Sequence, residues 1–506
     1  MRADLAVFLT LGPLVLGGVI ALIADAFSAR RLAGAVALVG LVVATASSAW
    51  SASTAPVGSA WGVLRTGGPF SSVAAVIAGA GVLSIVGGWE LFARGRWGGT
   101  LAALVAFSAA GSIAVATSRD ITMLLISLEI TAVCAYALVA ATGTRRSSEA
   151  AMKYVIQGAI ATGFFLIGLA ALVAAFIPSG DLNGLSAVFA RSGLYSVAMT
   201  GIVALLAALV FKAGAAPFHS WAPDVYENAA PELTAFLATG PKVAALTALT
   251  IVLELVASDT TASTVSVHGT TAIALIVAVM AVASVTIGSL VALRQRSYTR
   301  MLAYAGIAQV GYALIGASTL INPAAAVFFV STYALATVGT FLAAAAFRQV
   351  DPGWDGSIAG LAGMGRKAPA LCGALALLLM SLAGIPPLLG FWGKLVVFGG
   401  VLLQASTAFE AGLTMVGWMS AIAASVGIVG SIVSLGYYGA VLRALYLTPV
   451  ATVESAHPVE IDADTTARGG AIAVVIVVLI AVAVVLLGVL PLLWGVTPLV
   501  APFVPH

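Results

Sequence analysis

Apolar runs of membrane-spanning length follow one another along the whole chain, with no polar domain between them. Fourteen are readable, at roughly 5–24, 32–50, 72–93, 99–117, 120–141, 149–177, 196–216, 232–257, 269–292, 298–320, 324–347, 369–404, 412–446 and 470–497. A hydrocarbon core about 30 Å thick is crossed by ~20 helical residues. Backbone groups inside it find no water, so spanning segments must satisfy their own hydrogen bonds as helices. The 506 residues are 61% hydrophobic and only 8% charged, whereas soluble domains carry about 25% charged residues. A soluble enzyme, a disordered chain and a nucleic-acid binder are excluded. The prediction is an all-α polytopic membrane protein with about 14 transmembrane helices. Its first run, from Leu5 to Ala24, reads as a membrane helix, not a cleaved signal.

Two runs carry interruptions. The 369–404 stretch would measure about 54 Å as one helix, well beyond the bilayer core. Pro386 and Pro387 divide it into two half-helices, and Pro217 cuts the seventh run in the same way. Interrupted helices are tolerated only where their freed backbone is buried in protein or lines a wet cavity. Helix 7 is fourth in the set 4–8 and helix 12 is fourth in the set 9–13, which suggests two inverted five-helix repeats. The expected organisation is helices 1–3 (1–98), a first repeat (99–257), a second repeat (269–446) and a C-terminal loop with helix 14 (447–506). Arginine and lysine set the orientation. Of the 22 basic residues, 14 follow odd-numbered helices, and only Arg65, Arg119 and Arg191 follow even-numbered ones. The positive-inside rule then puts the odd loops in the cytoplasm and both termini on the outer side.

The chain has five lysines, and four of them (Lys153, Lys212, Lys242 and Lys394) fall within apolar helical runs, as does Glu129. A lysine at a helix centre costs about 2.5–3.5 kcal/mol on insertion scales, so uncompensated intramembrane charges point to function. Long side chains near helix ends can instead reach the interface, a reading that stays open for Lys153, four residues beyond Glu149. Lys212 lies five residues before Pro217, and Lys394 lies seven after Pro387. A charge beside a helix break, twice over, is the layout of an ion pathway. A lysine ordinarily titrates near 10.4, and bringing such a group near neutrality takes roughly 4 kcal/mol, within what desolvation supplies. A carboxylate that can pair with a lysine and release it makes a proton switch, and the pair titrates as a unit. There is no nucleophile–base–acid set, no Gly-rich nucleotide loop, and the four histidines are scattered. Cys134 and Cys372 sit in apolar runs and cannot form a metal cage.

The stretch from Phe211 to Glu227, FKAGAAPFHSWAPDVYE, and that from Ser381 to Lys394, SLAGIPPLLGFWGK, resemble the antiporter-like membrane subunits of respiratory complex I. The PFHxWxPD core is shared across that family. The following Val-Tyr-Glu and Thr234 to Leu237 are similar to its N-type subunit, and Arg300 to Tyr304 and Glu149 to Tyr154 add to the match. The resemblance implies a Glu129–Lys212 pair between helices 5 and 7. It also implies a central relay at Lys242, an exit residue at Lys394 and an accessory relay at Lys153. Tyr304, His219 and Arg300 would support them, with His219 more in keeping with a structural hydrogen bond than with a metal ligand. The implied activity is proton translocation in NADH:quinone oxidoreductase of a bacterial plasma membrane. FMN, iron–sulfur clusters and quinone would belong to partner subunits and no cofactor to this chain. The implied partners are other membrane-arm subunits, especially neighbouring antiporter-like ones, and lipid.

The sequence departs from the pattern at Gln309, where the family often has histidine. An amide has no titrating form near neutral pH, so a relay there needs water or Tyr304. Thr299 replaces a basic residue usual before Arg300, and Cys134 stands where helix 5 often has proline. Rival readings are a subunit of a multi-subunit cation/proton antiporter or a membrane-bound hydrogenase, a stand-alone secondary transporter, and a structural scaffold.

Overall fold

A computed structural model describes residues 3–175, 180–187, 195–258, 264–319, 323–449 and 463–494. The chain begins with α1 (Ala3–Ala26), α2 (Arg30–Thr54), a hairpin of β1 (Gly58–Ala60) and β2 (Leu64–Thr66), α3 (Gly68–Gly87) and the short α4 (Trp89–Arg94). It continues through α5 (Gly98–Thr117), α6 (Ile121–Ala140), α7 (Arg145–Ala175), α8 (Tyr195–Ala213), α9 (Trp221–Asn228), α10 (Pro231–Leu237) and α11 (Gly240–Ala257). The remaining helices are α12 (Thr264–Ala292), α13 (Tyr298–Ala317), α14 (Pro323–Val350), α15 (Met364–Lys367), α16 (Pro369–Ala383), α17 (Leu389–Glu410), α18 (Thr414–Tyr446) and α19 (Ala463–Trp494).

Among the described residues, 13 helices are long and apolar enough to cross a membrane, α10 and α11 counting as one. The expected run at 298–320 is α13, whose 20 residues match the bilayer core but whose hydropathy is lowered by Arg300, Gln309 and three tyrosines. The chain is a multi-pass membrane protein. Helices α11, α13 and α14 form its centre, with nearly every residue of each buried. Outer helices leave large apolar side chains uncovered, such as Leu403, Ile432 and Leu486, as lipid-facing surfaces require.

Both proline interruptions are present, and they close by the same hydrogen bonds. At the end of α8, Gly214 takes a left-handed φ of 75°. Its N–H donates to the Phe211 carbonyl at 2.9 Å, and that of Ala215 donates to Val210 at 3.1 Å. At the end of α16, Gly384 has φ 89°, with its N–H on Ser381 and that of Ile385 on Met380, both at 3.0 Å. This is the Schellman cap, which needs a residue free of Cβ strain. Pro217 and Pro387 follow three residues later and cannot continue the helix.

Two features were not anticipated. One is the interruption of the eighth run at Ala238–Thr239, where the Thr239 hydroxyl donates to the carbonyls of Ala235 at 2.7 Å and Phe236 at 3.0 Å. The other is the β1–β2 hairpin. It is held by Arg65, which donates to the Ser118 carbonyl and to Asn183 Oδ1 at 3.2 Å. Arg119 pairs with Asp181 at 3.0 Å and donates to Ser59 Oγ at 3.2 Å.

Candidate functional site

Three of the four lysines in apolar runs are enclosed: Lys212 is 9% exposed, Lys242 1% and Lys394 5%. Each is placed by a helix break. Lys212 occupies the last turn of α8, just before Gly214. Its ammonium has no hydrogen-bond partner among the described residues and lies 5.8 Å from the Tyr136 ring centre and 5.9 Å from that of Phe211. Glu129 is half-buried on α6 and accepts a 2.6 Å hydrogen bond from the Thr162 hydroxyl instead of meeting Lys212. The implied pair is therefore open in this structure.

Lys242 stands in the first turn of α11, immediately after the Thr239 interruption. Its Nζ also lacks a hydrogen-bond partner among the described residues and sits 5.0 Å from the Tyr226 ring centre. Glycines make its space. A methyl on Gly306 would lie 3.3 Å from Nζ, and one on Gly214 would lie 3.8 Å from Cε. An aromatic row runs from Lys212 toward Lys242. Tyr136 meets Tyr154 edge-on at 4.8 Å, Tyr154 stacks on Trp221 at 4.3 Å, and Trp221 meets Tyr226 at 6.0 Å. A desolvated cation over such rings gains about 2 kcal/mol, against a burial penalty of several kcal/mol for an unpaired ion.

Lys394 is held differently. Its Nζ donates to the Ala383 carbonyl at 2.9 Å and to Ser431 Oγ at 2.8 Å, and it lies 4.9 Å from the Tyr312 ring centre. Ala383 ends α16, so the amine sits on carbonyls left unpaired by the helix break, at the negative end of the helix dipole. Gln309 completes the cap by donating to the Leu382 carbonyl at 2.9 Å. None of these three lysines takes part in an ion pair among the described residues.

Lys153 belongs to a separate cluster. It pairs with Glu149 at 2.9 Å and with Asp224 at 3.1 Å, and almost half of its side chain is exposed. Asp224 also holds Arg300 at 2.9 Å, and Arg300 reaches Glu227 at 2.9 Å. The cluster ties α7, α9 and α13 together at one end of the bundle. His219 lies between α8 and α9 beside the Pro217 backbone, with Nδ1 lacking a hydrogen-bond partner among the described residues. Tyr304 is on α13, but the backbone of Tyr304 and Ala308 lies against α12 at Gly288. Tyr304 is two residues from Gly306, about 200° around the helix, and so points away from Lys242.

Asp224 and Glu227 were missed as partners although they stand in the PFHxWxPD–Val-Tyr-Glu stretch. A charge in an interruption gives no indication of which distant helix it meets. Ser431 and Tyr333, described below, carried no signal because an uncharged hydroxyl costs little in an apolar run.

The model of a transmembrane family described as NADH:quinone oxidoreductase/Mrp antiporter matches residues 118–420, well over half of the chain. The chain belongs to this family. The matched span covers both proline breaks and all four lysines found in apolar runs. NADH-quinone oxidoreductase subunit N of Sphingopyxis alaskensis is 33% identical over 90% of this chain and 91% of its own length. Subunit N 2 of Acidobacterium capsulatum is 37% identical over 73% of this chain and 72% of its own. A chain of respiratory complex I from Thermus thermophilus superposes with a TM-score of 0.75 at 28% identity, covering 97% of this chain and 99% of that one. The resemblance to subunit N read from the motifs is thus supported by a relative matched over nine-tenths of both chains. A chain of the Mrp complex from a Dietzia species shares the fold, with a TM-score of 0.79 at 21% identity over 98% of this chain and 97% of its own.

Proposed function

We propose that this chain is a proton-translocating membrane subunit of a bacterial NADH:quinone oxidoreductase. The observation that carries the reading is the placement of Lys212, Lys242 and Lys394 inside the bundle, each beside a helix interruption and none with a carboxylate partner among the described residues. Such amines can take up and release protons within a low-dielectric interior. Glu129, on α6 and held by Thr162, would pair with Lys212 on turning away from that hydroxyl. Protons would enter from the cytoplasm by way of Lys153, pass Lys242 and Lys212, and leave through Lys394. Flavin, iron–sulfur and quinone chemistry would lie in partner subunits and drive the relay electrostatically. Both termini would face outward, and the two five-helix sets (99–257 and 269–446) would be the repeating units. Moving a charge outward costs about 2.3 kcal/mol per 100 mV, so uncoupled leakage must be blocked.

The test is affinity purification from native membranes in mild detergent, with NADH:quinone reductase measured on the assembly. Activity in a large flavin- and iron–sulfur-containing complex is expected. A cofactor-free assembly without NADH activity would transfer the chain to the cation/proton antiporter branch.

A further inference from the structure

The route from Lys242 to Lys394 passes Gln309, whose amide is committed to the Leu382 carbonyl at 2.9 Å, and Tyr304 points elsewhere. Another hydroxyl occupies the gap. Tyr333, on α14, is 7% exposed. A methyl built on Gly306 would lie 3.1 Å from Tyr333 Oη and 3.3 Å from Lys242 Nζ, so the two atoms are within about 6.4 Å of each other. Hydrogen bonds of about 2.8 Å each bridge a separation within that bound through one or two waters. Tyr333 also lines a cavity whose wall includes Gln309, Ser381, Leu382 and Lys394, with about 10 Å³ open to water centres. That is room for about one water molecule. Tyr333 is thus next to the amine of Lys242 on one side and shares a cavity with Lys394 on the other.

We propose, resting on the function above, that Tyr333 is the relay residue between Lys242 and Lys394, and that Gln309 is a positioning residue which holds the α16 terminus. The step balances as a hydroxyl relay. The Lys242 ammonium gives up a proton, through the bridging water or waters, to the Tyr333 oxygen. The Tyr333 O–H passes its own proton to the cavity water, and that water protonates the Lys394 amine. The hydroxyl ends as it began, neutral and protonated, and turns to reset. The absence of a side chain at position 306 keeps the first gap open.

The test uses the complete complex reconstituted in vesicles, comparing protons pumped per NADH for wild type, Tyr333→Phe, Lys242→Ala and the double variant Tyr333→Phe/Gln309→His. Tyr333→Phe is expected to assemble and lose pumping, and the imidazole of the double variant is expected to restore it. Gly306→Ala, which fills the gap with a methyl, is expected to lose pumping with Tyr333 intact. If Tyr333→Phe pumps as wild type while Lys242→Ala does not, the relay assignment falls and the function stands. Full pumping by Lys242→Ala would overturn both. Loss in Tyr333→Phe without rescue by Gln309→His would make the hydroxyl structural and overturn the relay.

Discussion

Lys242 and Lys394 show how one residue type is placed in two chemical settings. Lys242 is surrounded by a ring face and glycines with no protein acceptor, whereas Lys394 is bonded to a helix-end carbonyl and a serine. Replacing Lys394 by Gln therefore has two consequences. Proton exit should fail, and the Ala383 carbonyl should lose its charged donor while keeping the 3.0 Å bond from Ser431. The remaining acceptor capacity left unsatisfied costs about 1–3 kcal/mol, so a lower melting temperature of the purified complex is expected along with lost pumping. An unchanged melting temperature would mean that the bond contributes nothing to the α16 cap. The lysines were legible in the sequence because a charge in an apolar run has a cost that needs a reason. Their partners were less so. Glu129 turned out to be bound by Thr162, and nothing in either helix's sequence indicates that Thr162 lies opposite Glu129.

The helix breaks carry the site, and the two marked by Pro217 and Pro387 each depend on one left-handed glycine. A side chain at Gly384 would force a left-handed φ at a cost of roughly 1–2 kcal/mol and would place its Cβ 2.8 Å from Lys394 Cδ. Gly384→Ala should therefore lower both thermal stability and pumping, and wild-type values for both would refute this account of the cap. The prolines announced these two breaks. The Ala238–Thr239 break gave no such warning, because a threonine hydroxyl bonded to the preceding turn looks like any helical threonine in sequence. The β1–β2 hairpin was hidden for a related reason, its stability coming from Arg65 and Arg119 reaching other loops. Burial disfavours the ionised form of Asp181, but Arg119, the Asn183 N–H and Arg65 outweigh it and hold the carboxyl below its ordinary value of 3.8. A depressed folded-state pKa stabilises above the unfolded value and loses that contribution as pH falls through the folded one. Melting curves should thus show an acid-side loss of stability below about pH 4 that is smaller in Asp181→Asn. Identical acid limbs would contradict it.

At the scale of the molecule, the two polar clusters each gather loops of one parity. Arg65, Arg119 and Asp181 come from connections after even-numbered crossings, while Lys153, Asp224 and Arg300 border connections after odd-numbered ones. The clusters therefore mark opposite ends of the bundle, and by the arginine count the second is the one expected to face the cytoplasm. A cysteine at exposed Val57 should react with an impermeant thiol reagent in whole cells, and one at exposed Arg366 only after inversion of the membrane. The reverse pattern would invert the topology. The fold was the most legible part of this protein, because lipid imposes length and apolarity on every crossing, whereas side-chain encounters between helices are set by packing alone. The most direct test of the account is proton pumping by the reconstituted complex carrying Lys242→Ala. The account predicts an assembled complex that pumps fewer protons per NADH than wild type, and an unchanged ratio would contradict it.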